Sequence, residues 1–180
     1  MKTVIGVSLG ADDQDFAFNA RFLRQKLEVR KIPCDLKDVV QSAVKSLGDA
    51  PALKLEQEHR PLPKLPLDAP QIESVVTNLL FNARDALHGE GTIRIQTEPR
   101  NRWALLTVAD NGCGMSKDVL DNIFEPFFTT KQIGQGTGLG LAAAGFHLLL
   151  LHGVIPEPLR PCTQGVPCSE KSIEWAGFIT

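Results

Sequence analysis

The sequence lacks the features that would mark a nucleic-acid-binding, zinc-binding or membrane protein. Its 180 residues include 19 basic and 21 acidic ones, and no basic tract is present that would attract a nucleic acid. The four cysteines form no Cys-x-x-Cys pair, which argues against a zinc site and predicts free thiols in a reducing cytoplasm. The longest apolar run, residues 146–151, is too short for a membrane span, so we expect a cytoplasmic protein with no membrane segment in this chain.

Hydrophobic periodicity predicts a mixture of helices and strands. Apolar stripes indicate helices at residues 16–30, 36–47, 72–87, 117–123 and 139–151, and alternation indicates strands at residues 53–56, 92–98 and 103–109. The last two strands are separated by a short polar segment and are predicted to form an antiparallel hairpin. Prolines between residues 61 and 70 indicate an extended connector, and the Pro-rich residues 156–180 are expected to be irregular.

Three polar side chains lie on one stripe of the helix predicted at residues 72–87. Asn78, Asn82 and Asp85 follow each other at helical spacing, beside the apolar face of the helix rather than opposite to it. An amide oxygen is a neutral ligand of the kind that suits Mg²⁺, which usually keeps waters and bridges to substrate phosphates. A single asparagine in this position is more often an ordinary residue at the boundary of the core.

Two glycine-rich segments follow. Asp110 ends a predicted strand and precedes Gly112 and Gly114, so its carboxylate can accept a hydrogen bond from a base while the glycines let the backbone pass close to a flat ring. Glycines at alternate positions in residues 134–141 can aim backbone amides at anionic oxygens. Neither the Walker nor the Rossmann pattern is present. Taken alone, the first segment reads as a turn and the second as a flexible loop.

Four segments in order resemble the four sequence boxes of the histidine kinase catalytic domain, which belongs to the superfamily of gyrase-type ATPases. They are residues 78–86, 110–115, 124–131 and 136–141, and the short lid between residues 128 and 136 is similar to that of the nitrogen-regulation type of sensor kinase. The resemblance implies an α+β fold: a two-layer sandwich whose mixed, mostly antiparallel sheet is covered by helices on one face. It also implies a domain division into a dimerisation-helix remnant (1–33), an ATP-binding catalytic domain (34–155) and a divergent tail (156–180).

The resemblance implies a catalytic set of three residues. Asn82 would hold the Mg²⁺ that bridges the ATP phosphates, Asn78 would assist at the phosphates, and Lys131 would reach them from the lid. Asp110 would take the adenine amino group. The full set of implied nucleotide-binding residues is Asn78, Asn82, Asp85, Asp110, Gly112, Gly114, Met115, Lys131, Gly136, Thr137, Gly138, Leu139 and Gly140. Phe124, Phe127 and Phe128 are expected to anchor the lid in the core rather than to contact the ligand.

The implied function is transfer of the ATP γ-phosphoryl group to a histidine on a separate dimerisation domain. The implied partners are therefore ATP with Mg²⁺, a histidine-bearing dimerisation domain or full-length kinase, and a response regulator. None of the four histidines of the chain has the His-Glu or His-Asp context of the family's phosphoacceptor, so we expect no phosphoacceptor in this chain. Three alternatives stay open: an ATP-binding regulatory module, a serine kinase of the anti-sigma-factor type, and a truncated, catalytically incompetent fragment whose sheet lacks its last strands.

Overall fold

The computed structural model describes residues 30–48, 50–100, 103–132, 136–144 and 171–178, with the backbone alone described for the last eight. The strands are β1 (Ile32–Cys34), β2 (Leu53–His59), β3 (Leu65–Leu67), β4 (Gly91–Arg100), β5 (Trp103–Asp110) and β6 (Lys171–Phe178). The helices are α1 (Leu36–Lys45), α2 (Ala69–Ala86) and α3 (Lys117–Asn122), and α4 begins at Gly140 and is helical through Ala144. The predicted helix at 16–30 lies outside the described residues except for its last residue, and so does the part of the last predicted helix beyond residue 144.

The strands form one mixed sheet and one small ribbon. The larger sheet has the order β2-β4-β5-β6, in which β2 pairs parallel with β4 and the other two pairs are antiparallel. The ribbon pairs β1 antiparallel with β3. The predicted hairpin of β4 and β5 and the predicted α+β class are both confirmed.

One face of α2 forms the centre of the core. Its buried residues recur at helical spacing and pack with the buried face of α1 and with inward-facing residues of β4 and β5. Burial of one such aliphatic side chain contributes about 1.5–3 kcal/mol, so this interface holds α2 firmly on the sheet. The buried residues of α2 are Ile72, Val75, Val76, Leu79, Leu80 and Ala83.

The alternation along β5 determines where its last side chain points. Ala104, Leu106 and Val108 are buried in the core that α2 covers, and Asp110 follows them at the same period of two residues. Asp110 pairs with Ile93 of β4, which is also a core residue. The carboxylate therefore lies on the helix-covered side of the sheet, at the point where β5 leaves the core.

In two regions rich in proline, the structure contains strands that the sequence did not predict. The tail of residues 156–180 was expected to be irregular, but Lys171–Phe178 forms β6 and covers the edge of β5 along its whole length, since backbone pairing does not require a hydrophobic period. The connector of residues 61–70, which was expected to be extended, contains β3, and β3 pairs with β1 around Pro33. Proline is tolerated in such short edge strands but is rare in strands generally, so residues 32–34 and 65–67 carry a weak strand signal.

No helix in the described part of the chain is long and apolar enough to cross a membrane.

Two aspartates that begin helices differ in the number of groups they hold. Asp68 is buried and caps α2, and its carboxylate accepts hydrogen bonds from the Arg30 amide at 2.8 Å and from the Gln71 amide and side chain at 3.4 and 3.2 Å. Asp35 is exposed and caps α1 through one bond to the Lys37 amide at 2.8 Å. Asp68 thus ties the chain segment that precedes β1 to the start of α2.

We expect Asp68→Ala to lower the free energy of unfolding by about 2–3 kcal/mol, because it removes a helix cap and leaves the partly buried Arg30 amide without its partner. The matched substitution Asp35→Ala should cost about 1 kcal/mol, since it removes a cap alone. Urea denaturation of the three proteins measures the difference, and equal losses in the two variants would contradict the role given to Asp68.

Candidate functional site

The polar stripe of α2 forms one wall of a cavity of about 990 Å³. Asn78, Asn82 and Asp85 all line it, because the buried face of α2 fixes the rotation of the helix and leaves this neighbouring stripe at the edge of the core. The three side chains therefore share one wall of the cavity.

The loop after β5 forms the second wall and is attached to the end of α2. The Asp110 carboxylate accepts a hydrogen bond from the Gly112 amide at 2.9 Å, and the Cys113 amide donates to the Ala86 carbonyl at 3.1 Å. A methyl group added at Gly112 would lie 2.5 Å from the Ala86 carbonyl oxygen, so glycine is required for this close approach. The loop therefore holds Asp110 beside α2 at the mouth of the cavity.

Lys131 joins the lid to α2. Its ammonium lies 2.5 Å from the Asp85 carboxylate and 3.4 Å from the Asn82 side-chain oxygen. The segment is folded tightly around this lysine, because its amide donates to the Thr129 hydroxyl at 3.2 Å and a methyl group added at Gly136 would lie 2.9 Å from its side chain. Two oxygen atoms of α2 therefore converge on one cation.

Arg84 supplies a second cation beside Asp85. Its guanidinium lies 3.5 Å from the Asp85 carboxylate and stacks over the Phe81 ring, 4.6 Å from the ring centre. The side chains of Asp85, Lys131 and Arg84 are 39%, 33% and 40% exposed, so solvent screens each of these ion pairs. The Asp85 carboxylate thus has two partners, one on its own helix and one on the lid.

The glycine-rich segment packs against both the lid and α2. The Phe127 amide donates to the Gly138 carbonyl at 3.0 Å, and a methyl group added at Gly138 would lie 2.3 Å from the Phe127 carbonyl carbon. Further along, a methyl group at Gly140 would lie 3.8 Å from the Asn78 amide carbon and 3.9 Å from the Asn82 amide nitrogen. The start of α4 therefore lies directly over the polar stripe of α2.

Most of the residues expected at the site line this cavity. The two exceptions are Gly112, which packs on Ala86 instead, and Leu139, which is 41% exposed. The expected residues that line the cavity are Asn78, Asn82, Asp85, Asp110, Gly114, Met115, Lys131, Gly136, Thr137, Gly138 and Gly140.

The expectation that Phe124, Phe127 and Phe128 anchor the lid in the core is wrong for Phe127. This residue is 74% exposed, so it is not a core residue, and its φ of 69° lies in the left-handed region. Phe128 lines the cavity.

Sequence reasoning missed several other lining residues. Cys113 sits between the two glycines of the loop after β5, and Thr129 and Thr130 immediately precede Lys131. Their positions inside the recognised segments are the signal that would have found them. Arg84 also lies inside a recognised segment, whereas His88 lines the cavity from the turn after α2, where no pattern in the sequence marks it.

Comparisons with known proteins agree with this geometry. Residues 67–160 match the family described as histidine kinase-, DNA gyrase B- and HSP90-like ATPase. The sensor kinase CckA of Brucella abortus is 34% identical over 145 residues, which cover 72% of this chain and 14% of that protein. The two-component sensor PprA of Pseudomonas aeruginosa is 48% identical over 83 residues, or 42% of this chain and 9% of that protein. This chain therefore matches only a small part of each relative.

Solved structures of histidine kinases share the fold. The catalytic domain of histidine kinase ThkA superposes with a TM-score of 0.61 at 26% identity, covering 71% of this chain and 84% of that one. The histidine kinase AdeS of Acinetobacter baumannii superposes with a TM-score of 0.68 at 24% identity, covering 92% of this chain and 76% of that one.

Two glycines with almost the same backbone conformation allow a test of the lid packing. Gly48 and Gly138 have φ values of 68° and 65°, but an added methyl group meets nothing within 4 Å at Gly48. We expect Gly138→Ala to increase the hydrogen-exchange rate of the Phe127 amide by about tenfold or more, because the clash separates this amide from the Gly138 carbonyl. Gly48→Ala carries the same backbone strain of about 1–2 kcal/mol and should leave that rate unchanged. A similar rate increase in both variants would contradict the proposed packing of the lid.

Proposed function

The chain belongs to the family of histidine kinase-, DNA gyrase B- and HSP90-like ATPases, and from that premise we propose that it binds Mg²⁺-ATP and transfers the γ-phosphoryl group to a histidine on a separate dimerisation domain. It contains the ATP-binding catalytic domain of a two-component sensor kinase. The chain spans 14% and 9% of the length of two of the curated relatives that it matches, and the metal, the acceptor and the reaction are parts of the proposal.

The observation that carries the proposal is the meeting of four sequence segments around one cavity. All four segments line this cavity, although they are separated along the chain by up to 62 residues, from Asn78 to Gly140. They are the stripe of α2, the loop after β5, the lid and the glycine-rich segment. A cavity of about 990 Å³ accommodates a ligand of nucleotide size. The clustering of amide oxygens, a carboxylate, a lysine and backbone glycines supports recognition of a base at one end and phosphates at the other.

The residues around Lys131 support a magnesium site at Asn82. The Asn82 side-chain oxygen and the Asp85 carboxylate already face one cation, the Lys131 ammonium, and oxygen atoms are the ligands that Mg²⁺ prefers. Among the described residues, no group of three or more His, Cys, Asp or Glu side chains is arranged to hold a metal. Asn82 would therefore hold the ion together with substrate phosphates and water, and the ion when bound would neutralise phosphate charge.

The side chains of the cavity would divide the nucleotide between them. Asp110 accepts N–H donors in its loop and would accept the adenine amino group, with Gly114 and Met115 beside the ring. Asn78 would donate its side-chain amide to phosphate oxygens, and Lys131 would neutralise them from the lid. Residues 136–140 would close over the triphosphate with backbone amides. Phosphoryl transfer needs mainly positioning and charge neutralisation from the protein, and these groups supply both.

The partners follow from the chemistry. None of the four histidines has the phosphoacceptor context, so the acceptor histidine would belong to a dimerisation domain or a full-length kinase. A response regulator would then take the phosphoryl group from that histidine.

We expect calorimetric titration with Mg²⁺-ATP to give saturable binding that Asn82→Ala and Asp110→Asn each weaken by about tenfold or more, since a hydrogen bond to a charged group contributes about 1.5–3 kcal/mol. Asp110→Asn keeps the side-chain oxygen that accepts the Gly112 amide, so the loop should keep its shape. It should also abolish a preference for ATP over GTP, because GTP carries an oxygen in place of the adenine amino group.

The controls for this titration are Asn122→Ala and Asp121→Asn, which change the same residue types on α3, outside the cavity lining. Both should bind Mg²⁺-ATP like the unchanged protein. Absence of binding by the folded, unchanged protein would contradict the proposed function.

Transfer is tested with a separately purified, histidine-bearing dimerisation domain of a two-component sensor kinase and ATP labelled in its γ-phosphate. We expect acid-labile label on that domain when this chain is present, and none when the acceptor histidine is replaced by alanine or when the chain carries Asn82→Ala. Nucleotide binding without transfer to any domain supplied would favour an ATP-binding regulatory module instead.

A further inference from the structure

We propose that Asp85 is a positioning residue that holds the Lys131 ammonium against α2 and releases it to the phosphates when a nucleotide enters the cavity. The inference rests on the proposed function and adds a role for Asp85. It starts from the 2.5 Å contact between the Asp85 carboxylate and the Lys131 ammonium. In the described part of the chain, this ion pair and the weaker bond from Lys131 to Asn82 join the lid segment to α2 through side chains.

The ion pair competes with a nucleotide for the same lysine. The ammonium also lies 3.4 Å from the Asn82 oxygen, so it occupies the position next to the group proposed to hold the metal. A phosphate chain that enters this part of the cavity brings further negative charge close to the Asp85 carboxylate. The phosphates and the carboxylate then repel each other, because both are negatively charged. Lys131 must therefore be shared between Asp85 and the phosphates, or pass from one to the other.

Arg84 lowers the cost of the exchange. Its guanidinium is 3.5 Å from the Asp85 carboxylate, on the same helix, and it does not depend on the lid. When Lys131 leaves, Asp85 keeps this cation and does not become an unpaired carboxylate facing the phosphates. The stacking of Arg84 on Phe81 keeps the guanidinium in place. Lys131 can therefore leave Asp85 without leaving the carboxylate unpaired, because Arg84 remains beside it.

The fold offers a matched control pair. Lys117 and Asp121 on α3 form an ion pair of the same length, 2.5 Å, on the protein surface and outside the cavity lining. Asp121→Asn therefore makes the same chemical change as Asp85→Asn, away from the nucleotide.

The first experiment measures the affinity for ATP in the presence of EDTA, which removes the metal from the comparison. We expect Asp85→Asn to raise this affinity about threefold, the size of effect that a partly exposed ion pair produces. Asp121→Asn should not change it. A double-mutant cycle with Lys131→Met then tests whether Asp85 acts through the lysine, and we expect the gain from Asp85→Asn to disappear in the Lys131→Met background.

The second experiment needs no nucleotide. Trypsin cleaves after lysine, and the Lys131 side chain is held by its ion pair, so cleavage between Lys131 and Gln132 should be faster in Asp85→Asn and unchanged in Asp121→Asn. Mass spectrometry of the fragment that ends at Lys131 measures the rate.

The outcomes separate the inference from the proposed function. The positioning role is wrong if the unchanged protein binds ATP but Asp85→Asn does not raise its affinity for ATP. It is also wrong if Asp85→Asn still raises the affinity in the Lys131→Met background. In both cases the proposed function stands. An unchanged rate of cleavage after Lys131 also overturns the positioning role. If the unchanged, folded protein binds no ATP with or without Mg²⁺, both fall together.

Discussion

The packing of α2 against β4 and β5 is the constraint on which the cavity depends. The apolar residues of the helix leave a single rotation that buries them all, and that rotation fixes the direction of Asn78, Asn82 and Asp85. The same packing brings the end of α2 to the loop after β5, where the Ala86 carbonyl accepts the Cys113 amide. A cavity wall is thus produced by the boundary of the hydrophobic core, without any structural element that serves the cavity alone.

Much of this wall could be predicted from the sequence because it follows from periodicity. A stripe at 3.6 residues predicts α2 and the side on which its asparagines lie, and the alternation of Ala104, Leu106 and Val108 predicts that Asp110 shares their face. Both predictions depend on one element at a time. That these elements meet at one site was implied by the resemblance of the four segments to the boxes of a single catalytic domain, and not by any period in the sequence.

Contacts that no hydrophobic period marks could not be predicted from the sequence. The ribbon of β1 and β3 pairs three residues with three, and each strand contains a proline, so both strands are too short for a period to be recognised in the sequence. The pairing of β6 with β5 depends on which strand edge remains available, and a sequence pattern does not contain that information. Likewise, Asp85 and Lys131 are 46 positions apart. Acidic and basic residues occur throughout this chain, so no charge pattern in the sequence identifies these two residues as an ion pair.

The lid is held differently from the rest of the domain, and this difference suits the function proposed for it. Among the described residues, α2 is held by many buried aliphatic side chains, whereas the lid segment is held by Lys131 and by the backbone contact between Phe127 and Gly138. Phe127 is exposed and has a positive φ, so it contributes strain where a buried aromatic ring would contribute stability. Segments with few buried apolar contacts open with a small free energy, independently of the core. We therefore expect the lid to open without disturbing the rotation of α2, because burial of the neighbouring apolar face of the helix fixes the polar stripe. Lys131 can then move from Asp85 to the phosphates of a nucleotide, while Asn78, Asn82 and Asp110 keep the positions that the packing of the core determines.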